Sequence, residues 1–231
     1  MKPLRVASYN IHGCIGNDGR RDPERIRRVI RALDADVIAL QEVQSDSERP
    51  LLDYLVEDSE FIHIEGPTLR NDAGHYGNAL LTRFELTQHR LLDLSVTHRE
   101  PRGAISALLN SEHGVLRVFA THLGLSPAER RTQTRQLLNW ITPPEHNEAD
   151  ITLLLGDLNE WFLWGRPLRW LRAHFGATPS MRSYPARWPL FALDRIWVHP
   201  GYRLIRAGRV SDDLTRVASD HLPVFAELTR P

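Results

Sequence analysis

Ile151-Thr-Leu-Leu-Leu-Gly-Asp-Leu-Asn159 decides the fold, and the other motifs of the chain can be placed around it. Its first five residues are apolar or β-branched without alternation, which is typical of a strand buried on both faces. We expect Gly156 to break this strand, and Asp157 and Asn159 follow two positions apart, so their side chains leave the sheet edge together. Open α/β sheets bind ligands at the carboxyl ends of their strands. The stretch therefore predicts an α/β fold with a functional sheet edge, although Gly-Asp-x-Asn also forms ordinary turns.

A second polar motif, Ser219-Asp-His-Leu-Pro223, precedes a short predicted strand from Val224 to Leu228. A His with a carboxylate nearby can serve as a general base, because the carboxylate fixes the orientation of the imidazole. Adjacent side chains diverge on an extended segment, however, so the carboxylate that orients His221 should come from elsewhere. Asp194, which opens an apolar stretch, is the candidate. Asp220 is then free to face a metal ion or a water molecule.

Three further predicted strands also end in polar residues: Leu4 to Asn10, Asp36 to Glu42 and Val115 to His122. A buried carboxylate such as Glu42 is costly unless it is paired or bound to a metal. Packing alone does not require polar residues at the C-terminal ends of so many strands. The sequence therefore indicates one site assembled from several strand ends.

Taken together, these motifs resemble the endonuclease/exonuclease/phosphatase superfamily, which includes deoxyribonuclease, abasic-site endonuclease, sphingomyelinases and inositol polyphosphate phosphatases. The matching motifs occur in the superfamily's order between residues 4 and 228: Ser8-Tyr-Asn10, Leu40-Gln-Glu42, Tyr76-Gly-Asn-Ala-Leu-Leu81, Thr121-His-Leu123, Gly156-Asp-Leu-Asn159, Leu193-Asp194 and Ser219-Asp-His-Leu-Pro223. The resemblance implies a four-layer α/β sandwich, in which two mixed β-sheets pack face to face between outer helices. It also implies an active site at one end, where loops of both sheets meet.

The resemblance further implies hydrolysis of a phosphate ester by in-line attack of water, with Mg²⁺ as cofactor and Mn²⁺ able to substitute. By resemblance, the metal ligands are Asn10, Glu42 and Asp220, the catalytic groups are His122, Asp157, Asn159, Asp194 and His221, and the phosphate contacts are Asn78, Arg102, His122 and Asn159. Mg²⁺ prefers oxygen ligands and keeps several waters, which suits this donor set. Two questions stay open at this point: whether Asp157 or His221 takes the proton, and whether one or two metals bind.

The rest of the chain fits one domain spanning residues 1–231. Its 231 residues are 42% hydrophobic, and no linker or internal repeat divides them. Asp22-Pro23 followed by an apolar stripe at helical spacing predicts a first helix. The capping box Ser126-Pro-Ala-Glu129 predicts a second helix, which runs towards Trp140. Between them, the segment from Phe61 to Ser111 is interpreted as mostly short strands and turns.

Composition gives expectations about location. The start of the chain has no apolar segment typical of a signal peptide, and no run is apolar enough to span a membrane. Cys14 is the only cysteine, which fits a reducing compartment. We therefore expect a cytoplasmic monomer without an obligate protein partner.

Charge and aromatic content bear on the substrate. The net charge is zero, whereas most duplex-binding domains carry a basic excess. Trp161, Phe162 and Trp164 crowd the segment beyond the Asp157 motif, and Trp188 and Phe191 precede Asp194. Three interpretations of these aromatic residues stay open: packing beneath long loops, stacking on nucleic-acid bases, or peripheral contact with a membrane interface.

The sequence thus favours a Mg²⁺-dependent phosphodiesterase. A DNA endonuclease or exonuclease of the same fold is the alternative, and a non-catalytic binding scaffold is the alternative from another class. A scaffold would be expected to have lost at least one of the residues that carry the chemistry. All of the following are present: Glu42, His122, Asp157, Asn159 and His221. The sequence leaves the substrate open among nucleic acid, phospholipid and small phosphate esters.

Overall fold

Continuous apolar runs in the sequence become the inner strands of two β-sheets in the computed structural model, which describes residues 2–46, 50–71, 74–142, 149–199 and 202–229. The strands in these ranges are β1 (Leu4–Asn10), β2 (Val37–Asp46), β3 (Ile62–Asn71), β4 (Gly74–Thr82), β5 (Glu85–Asp93), β6 (Gly103–Ser111), β7 (Gly114–His122), β8 (Ile151–Asp157), β9 (Asp194–Val198), β10 (Arg203–Arg209) and β11 (Val224–Thr229). The six-stranded sheet has the order β10-β11-β1-β2-β4-β3, and the five-stranded sheet has the order β5-β6-β7-β8-β9.

The helices are α1 (Pro23–Leu33), α2 (Leu51–Val56), α3 (Pro127–Ile141), α4 (Arg166–Phe175) and α5 (Asp213–Ala218). Strands β1 and β2 are parallel, as are β7 and β8, and a parallel pair needs a crossover connection. Helices α1 and α3 lie in these two connections, so both predicted helices are confirmed. The Asp22 side chain caps α1, and Ser126 and Glu129 form the expected capping box of α3.

Three clusters of buried apolar side chains separate four layers. Val6 and Leu153, from different sheets, belong to the cluster between the two sheets. Ile30 of α1 and Ile38 of β2 belong to a cluster on the outer face of the six-stranded sheet. Leu168 of α4 belongs to the corresponding cluster outside the five-stranded sheet. The four-layer α/β sandwich with two mixed sheets is therefore confirmed.

Gly156 does not break its strand, and that expectation was wrong. β8 continues through Gly156 to Asp157, and the glycine has φ 151°, a conformation that side-chain-bearing residues rarely adopt. A Cβ atom at this position would collide with the carbonyl oxygen of Thr121. The glycine therefore permits close pairing of β7 and β8, which carries Asp157 on an ordered strand.

The strands between Phe61 and Ser111 are longer than predicted. β3 has ten residues, and β4, β5 and β6 have nine each. β5 lies at a sheet edge and is mostly exposed, so its sequence lacks an apolar pattern. Antiparallel pairing with neighbouring strands sets these lengths, and local sequence does not report it. None of the described helices has the length and apolar character needed to cross a membrane.

Candidate active site

Strand register brings the predicted site residues to one end of the sandwich. Asp157 is paired with His122 of β7 on one side and with Asp194 of β9 on the other. Asn10 lies at the end of β1 in the facing sheet, and its amide nitrogen donates to Asp157 Oδ2 over 3.2 Å. The site therefore spans both sheets, and Asp157 is at its centre.

Asn10 links two carboxylates. Its amide nitrogen donates to Glu42 Oε1 over 2.9 Å as well as to Asp157. Its oxygen accepts from the backbone N–H of His12 over 3.0 Å, which leaves that oxygen a second lone pair. Asn10 is fully buried, so this geometry is fixed by its surroundings.

His221 is held by Asp194, as the divergence of adjacent side chains led us to expect. The distance from His221 Nδ1 to Asp194 Oδ2 is 2.8 Å, and Nε2 lies 3.8 Å from Asp157 Oδ2. Burial alone would lower the pKa of His221, but the carboxylates of Asp194, Asp157 and Asp220 outweigh burial and raise that pKa to about 10. The surrounding carboxylates therefore favour the protonated imidazole.

His122 has the opposite ionisation. Its Nδ1 lies 3.1 Å from an Arg102 guanidinium nitrogen, and its Nε2 lies 3.6 Å from Asp157 Oδ2. Burial lowers the pKa of His122 to about 3, and the charge of Arg102 acts in the same direction, although Asp157 opposes both. A guanidinium only donates, so Nδ1 accepts and the single ring proton is on Nε2. The Asn159 amide nitrogen lies 3.0 Å from Nε2 and also donates to the carbonyl oxygen of Leu123 over 2.9 Å, so this amide and the His122 ring lie together next to Asp157.

Acid should destabilise the fold through His122. Its pKa is about 3 in the folded protein and about 6.5 when unperturbed, so the unfolded chain binds more protons between these values. The free energy of unfolding should therefore rise with pH across this window, by an amount on the order of a few kcal/mol, and the contribution is complete above it. His122→Gln should give a flatter dependence of Tm on pH, measured by calorimetry. Exposed His89→Gln is the control, and equal slopes for His122→Gln and the wild type would contradict this assignment.

Left-handed backbone conformations occur at the site. His12 has φ 47°, Glu42 has φ 56° and Asn159 has φ 49°. Such conformations cost about 1 kcal/mol or more at a residue with a side chain, so the surrounding fold must enforce them. Pairing between β2 and β4 shifts register between Leu40 and Val43, and this irregularity coincides with the turn of Glu42 towards Asn10. Strand alternation alone does not predict this orientation.

The remaining predicted residues surround this centre. The Asp220 carboxylate accepts from the Ser219 hydroxyl over 3.3 Å and lies 3.7 Å from His12 Nδ1. Arg102 is buried and also donates to Glu100. Asn78 is buried on β4, and its amide nitrogen donates to the carbonyl oxygen of Gly103 over 3.0 Å. Asn78 is thus held by backbone next to Arg102 rather than by the central side chains.

Two contributors to the site were not anticipated from sequence. The Ser183 hydroxyl donates to Asp194 Oδ2 over 2.5 Å, and the Tyr184 ring packs against the His221 ring with centroids 4.8 Å apart. Both residues lie in an irregular loop before β9. Ser-Tyr-Pro in a loop has no periodicity, so only the fold reveals their proximity to His221.

A divalent cation fits the carboxylate side of the site. Burial raises the pKa of Glu42, and the nearby Asp220 carboxylate acts in the same direction, although the hydrogen bond from Asn10 opposes both. Among the described residues, no Arg or Lys forms an ion pair with either carboxylate. Oxygen donors with uncompensated charge are what Mg²⁺ or Mn²⁺ prefers.

A buried cluster of Asp157, Asp194 and His221 also offers three ligand atoms within 4.8 Å of one another. Here Asp194 Oδ2 is already hydrogen-bonded to both His221 and Ser183. This cluster is therefore better described as an oriented imidazole between two carboxylates. The cation fits better beside Glu42, whose carboxylate accepts from the neutral Asn10 amide and forms no ion pair among the described residues.

Comparison with known proteins agrees with the fold. Residues 7–221 match the model of the Endonuclease/Exonuclease/phosphatase family. The chain is 29% identical to the uncharacterized protein YbhP of Escherichia coli K12, over 97% of this chain and 96% of that protein.

Two solved structures have the same fold. An endonuclease/exonuclease/phosphatase from Beutenbergia cavernae superposes with a TM-score of 0.81 at 22% identity, covering 100% of this chain and 72% of that one. TDP2 of Danio rerio, complexed with a single-strand DNA product, superposes with a TM-score of 0.74 at 20% identity, covering 98% of both chains. The family match covers most of the chain and includes every residue of the site described above, and this chain therefore belongs to the endonuclease/exonuclease/phosphatase family.

Proposed function

We propose that this protein is a divalent-metal-dependent hydrolase of phosphate esters and that its substrates are phosphodiesters. The observation that carries the proposal is the placement of Asp157 between two buried imidazoles, one of which is oriented by Asp194. Asp157 Oδ2 lies 3.6 Å from His122 Nε2 and 3.8 Å from His221 Nε2. A carboxylate that orients water, flanked by a neutral donor and a charged donor, suits attack on a phosphoryl group.

The side chains around Asp157 have distinct roles in the proposed reaction. Asp157 orients the attacking water and accepts its proton, since its other oxygen is fixed by the backbone N–H of Asn159 over 2.8 Å. His122 and the Asn159 amide donate to phosphoryl oxygens, where negative charge accumulates. Protonated His221, oriented by Asp194, stabilises that charge from the other side.

The metal site would be formed by Glu42, Asn10 and Asp220. A cation bound there supplies polarisation of the phosphoryl group and stabilisation of the leaving oxygen. Mg²⁺ is the proposed ion, and Mn²⁺ the substitute, because all three side chains offer oxygen. We propose a single metal, since the group beside Asp220 is the His12 imidazole, 3.7 Å away, and not a further carboxylate.

The alternatives differ in what supports them. Family membership supports a phosphoester hydrolase of some kind. The fold likeness to a TDP2 structure with a single-strand DNA product keeps a DNA nuclease as the alternative, whereas the zero net charge argues against tight tracking of duplex DNA. A non-catalytic scaffold would not need the carboxylates and imidazoles in mutual contact, so an enzyme is preferred.

Hydrolysis of bis-p-nitrophenyl phosphate tests the proposal. With Mg²⁺ or Mn²⁺ present, we expect turnover of this diester in preference to the monoester p-nitrophenyl phosphate. Asp157→Asn should lower kcat by about 10²–10⁴-fold, because the amide cannot accept the proton of water. Exposed Asp213→Asn is the matched control. Equal rates for Asp157→Asn and the wild type, or turnover of the monoester alone, would refute the diesterase.

A further inference from the structure

Two loops beside the active site carry large apolar side chains that are exposed to solvent. We call them the aromatic face, formed by residues 161–164 and 188–191. Trp164 and Trp188 are each 73% exposed, and Phe162 is 54% exposed. Core packing therefore does not explain these residues. Contiguous apolar surface of this kind marks an interaction site.

The aromatic face is continuous with the catalytic groups. The Trp161 ring contacts the Phe191 ring, with centroids 4.8 Å apart, and so joins the two loops. Trp161 also contacts Tyr184 over 5.7 Å, and Tyr184 packs on His221. A molecule bound on this face is thereby placed next to the imidazole.

The charged residues of the stretch that carries the aromatic face are all basic. Between residues 161 and 193 the chain contains no acidic residue, although its overall net charge is zero. The same stretch contains five arginines: Arg166, Arg169, Arg172, Arg182 and Arg187. The surface is therefore suited to a negatively charged partner.

A pocket of about 430 Å³ opens at the edge of the face, and Phe162, Trp164, Arg131 and Arg166 are among its lining residues. Within the described ranges, neither of these arginines forms an ion pair with an acidic side chain. Buried Arg130, also in the wall, is already paired with Glu160. The guanidinium groups of Arg131 and Arg166, beside the exposed rings, therefore form a suitable binding site for a phosphate group.

We propose that the aromatic face docks the protein on an anionic phospholipid surface, with a lipid phosphate in the arginine-lined pocket. Trp is favoured at the membrane interface, and Leu and Phe beside it enter the acyl boundary while arginines contact anionic headgroups. The docking proposal depends only on the aromatic face and its arginine-lined pocket. The delivery of a lipid-borne phosphodiester to Asp157 rests additionally on the proposed function.

Two observations favour a lipid surface over single-stranded nucleic acid. The Phe162 and Trp164 rings pack on each other, with centroids 5.3 Å apart and planes inclined by 36°, which leaves no slot between them for a base. Leu163 and Leu190 are 50% and 63% exposed, and they have no ring on which a base could stack. Exposed aliphatic side chains on both loops suit insertion among lipids.

Vesicle co-sedimentation tests the docking surface. The full chain is mixed with vesicles of phosphatidylcholine alone or of phosphatidylcholine with phosphatidylglycerol. We expect partition to favour the anionic vesicles. The double variant Trp164→Ala/Trp188→Ala should lower the partition coefficient by about tenfold or more. Arg131→Gln/Arg166→Gln should lower it by about fivefold for each arginine that contacts the surface.

Matched controls lie outside the face. Trp140→Ala removes a Trp on α3 that is 39% exposed, and Arg90→Gln removes an exposed Arg of β5. Both should partition like the wild type. Turnover of bis-p-nitrophenyl phosphate should stay within about twofold of wild type in all four variants, because the imidazoles and carboxylates are untouched. If the wild type sediments with anionic vesicles but hydrolyses no diester, the proposed function fails and docking stands.

Other outcomes overturn the docking surface. Failure of the wild type to prefer anionic vesicles would do so, as would unchanged partition of the Trp variant. A joint fall in soluble turnover and Tm in that variant would identify the two rings as packing residues. If the wild type binds a single-stranded oligonucleotide but no vesicles, and the Trp variant loses this oligonucleotide binding, the face is assigned to nucleic acid. A dimer in sedimentation velocity that dissociates in the Trp variant would assign it to a second copy of the chain.

Discussion

Asp194→Asn is expected to cost nearly as much activity as His221→Ala, on the order of 10²–10⁴-fold in kcat/KM for a soluble phosphodiester. Asp194 is fully buried, and its Oδ2 lies 2.8 Å from His221 Nδ1. The carboxylate therefore fixes the ring orientation and supports its positive charge. An asparagine has no charge, and its amide can present either an oxygen or an NH2 group to Nδ1. The imidazole would remain present but would be poorly oriented and less often protonated.

The double variant separates this coupling from two independent defects. Residues that act as a unit are not additive, so Asp194→Asn/His221→Ala should be scarcely slower than either single variant. Fully multiplicative losses, or normal activity in Asp194→Asn, would refute the pairing. Circular dichroism and Tm should accompany the kinetics, since removal of one partner from a buried pair also destabilises the fold.

Ser183→Ala provides a graded comparison within the same network. The Ser183 hydroxyl donates to the Asp194 oxygen that also contacts His221. Its loss leaves the Asp–His pair intact and removes one hydrogen bond from the carboxylate, worth about 1 kcal/mol. We therefore expect an intermediate loss of activity, about tenfold or less.

Local signals were sufficient to predict an α/β fold, two capped helices and a polar sheet edge, because uninterrupted apolar strands, N-caps and strand-end polar residues are visible without knowledge of contacts. The arrangement of two sheets face to face in four layers was predicted from the resemblance to a known family and not from these patterns. The partnership of His221 with Asp194 could also be inferred, since neighbouring side chains on an extended chain diverge. The observed 2.8 Å distance is in keeping with that inference.

Other features depend on long-range packing and could not be predicted from the local sequence. Gly156 resembles a strand terminator, yet the close approach of Thr121 on β7 makes a glycine necessary within the strand. The orientation of Glu42 depends on the irregular pairing of β2 with β4. The support from Ser183 and Tyr184 depends on a loop that only the β8–β9 pairing brings near His221.

Chelation by EDTA is expected to abolish turnover, and Mg²⁺ or Mn²⁺ should restore it. Glu42→Ala should raise the Mg²⁺ concentration for half-maximal activity by about 100-fold, since even weaker perturbations of metal sites cost 10–100-fold in affinity. Exposed Glu60→Ala is the matched control. Full turnover in excess chelator would exclude the proposed metal dependence.

Glu42→Gln should change stability in opposite directions with and without metal. Burial and Asp220 raise the pKa of Glu42, so its charged form opposes folding at neutral pH, and this opposition is lost when the carboxyl becomes protonated at lower pH. The neutral amide should therefore raise Tm in EDTA.

In the wild type, Mg²⁺ at about 100 times its Kd should add about 2.7 kcal/mol to the free energy of unfolding, because only the folded protein assembles the site. That gain should vanish in Glu42→Gln, so the variant melts above the wild type in EDTA and below it in saturating Mg²⁺. If the order of the two melting temperatures is the same in both buffers, Glu42 is not a ligand of the metal.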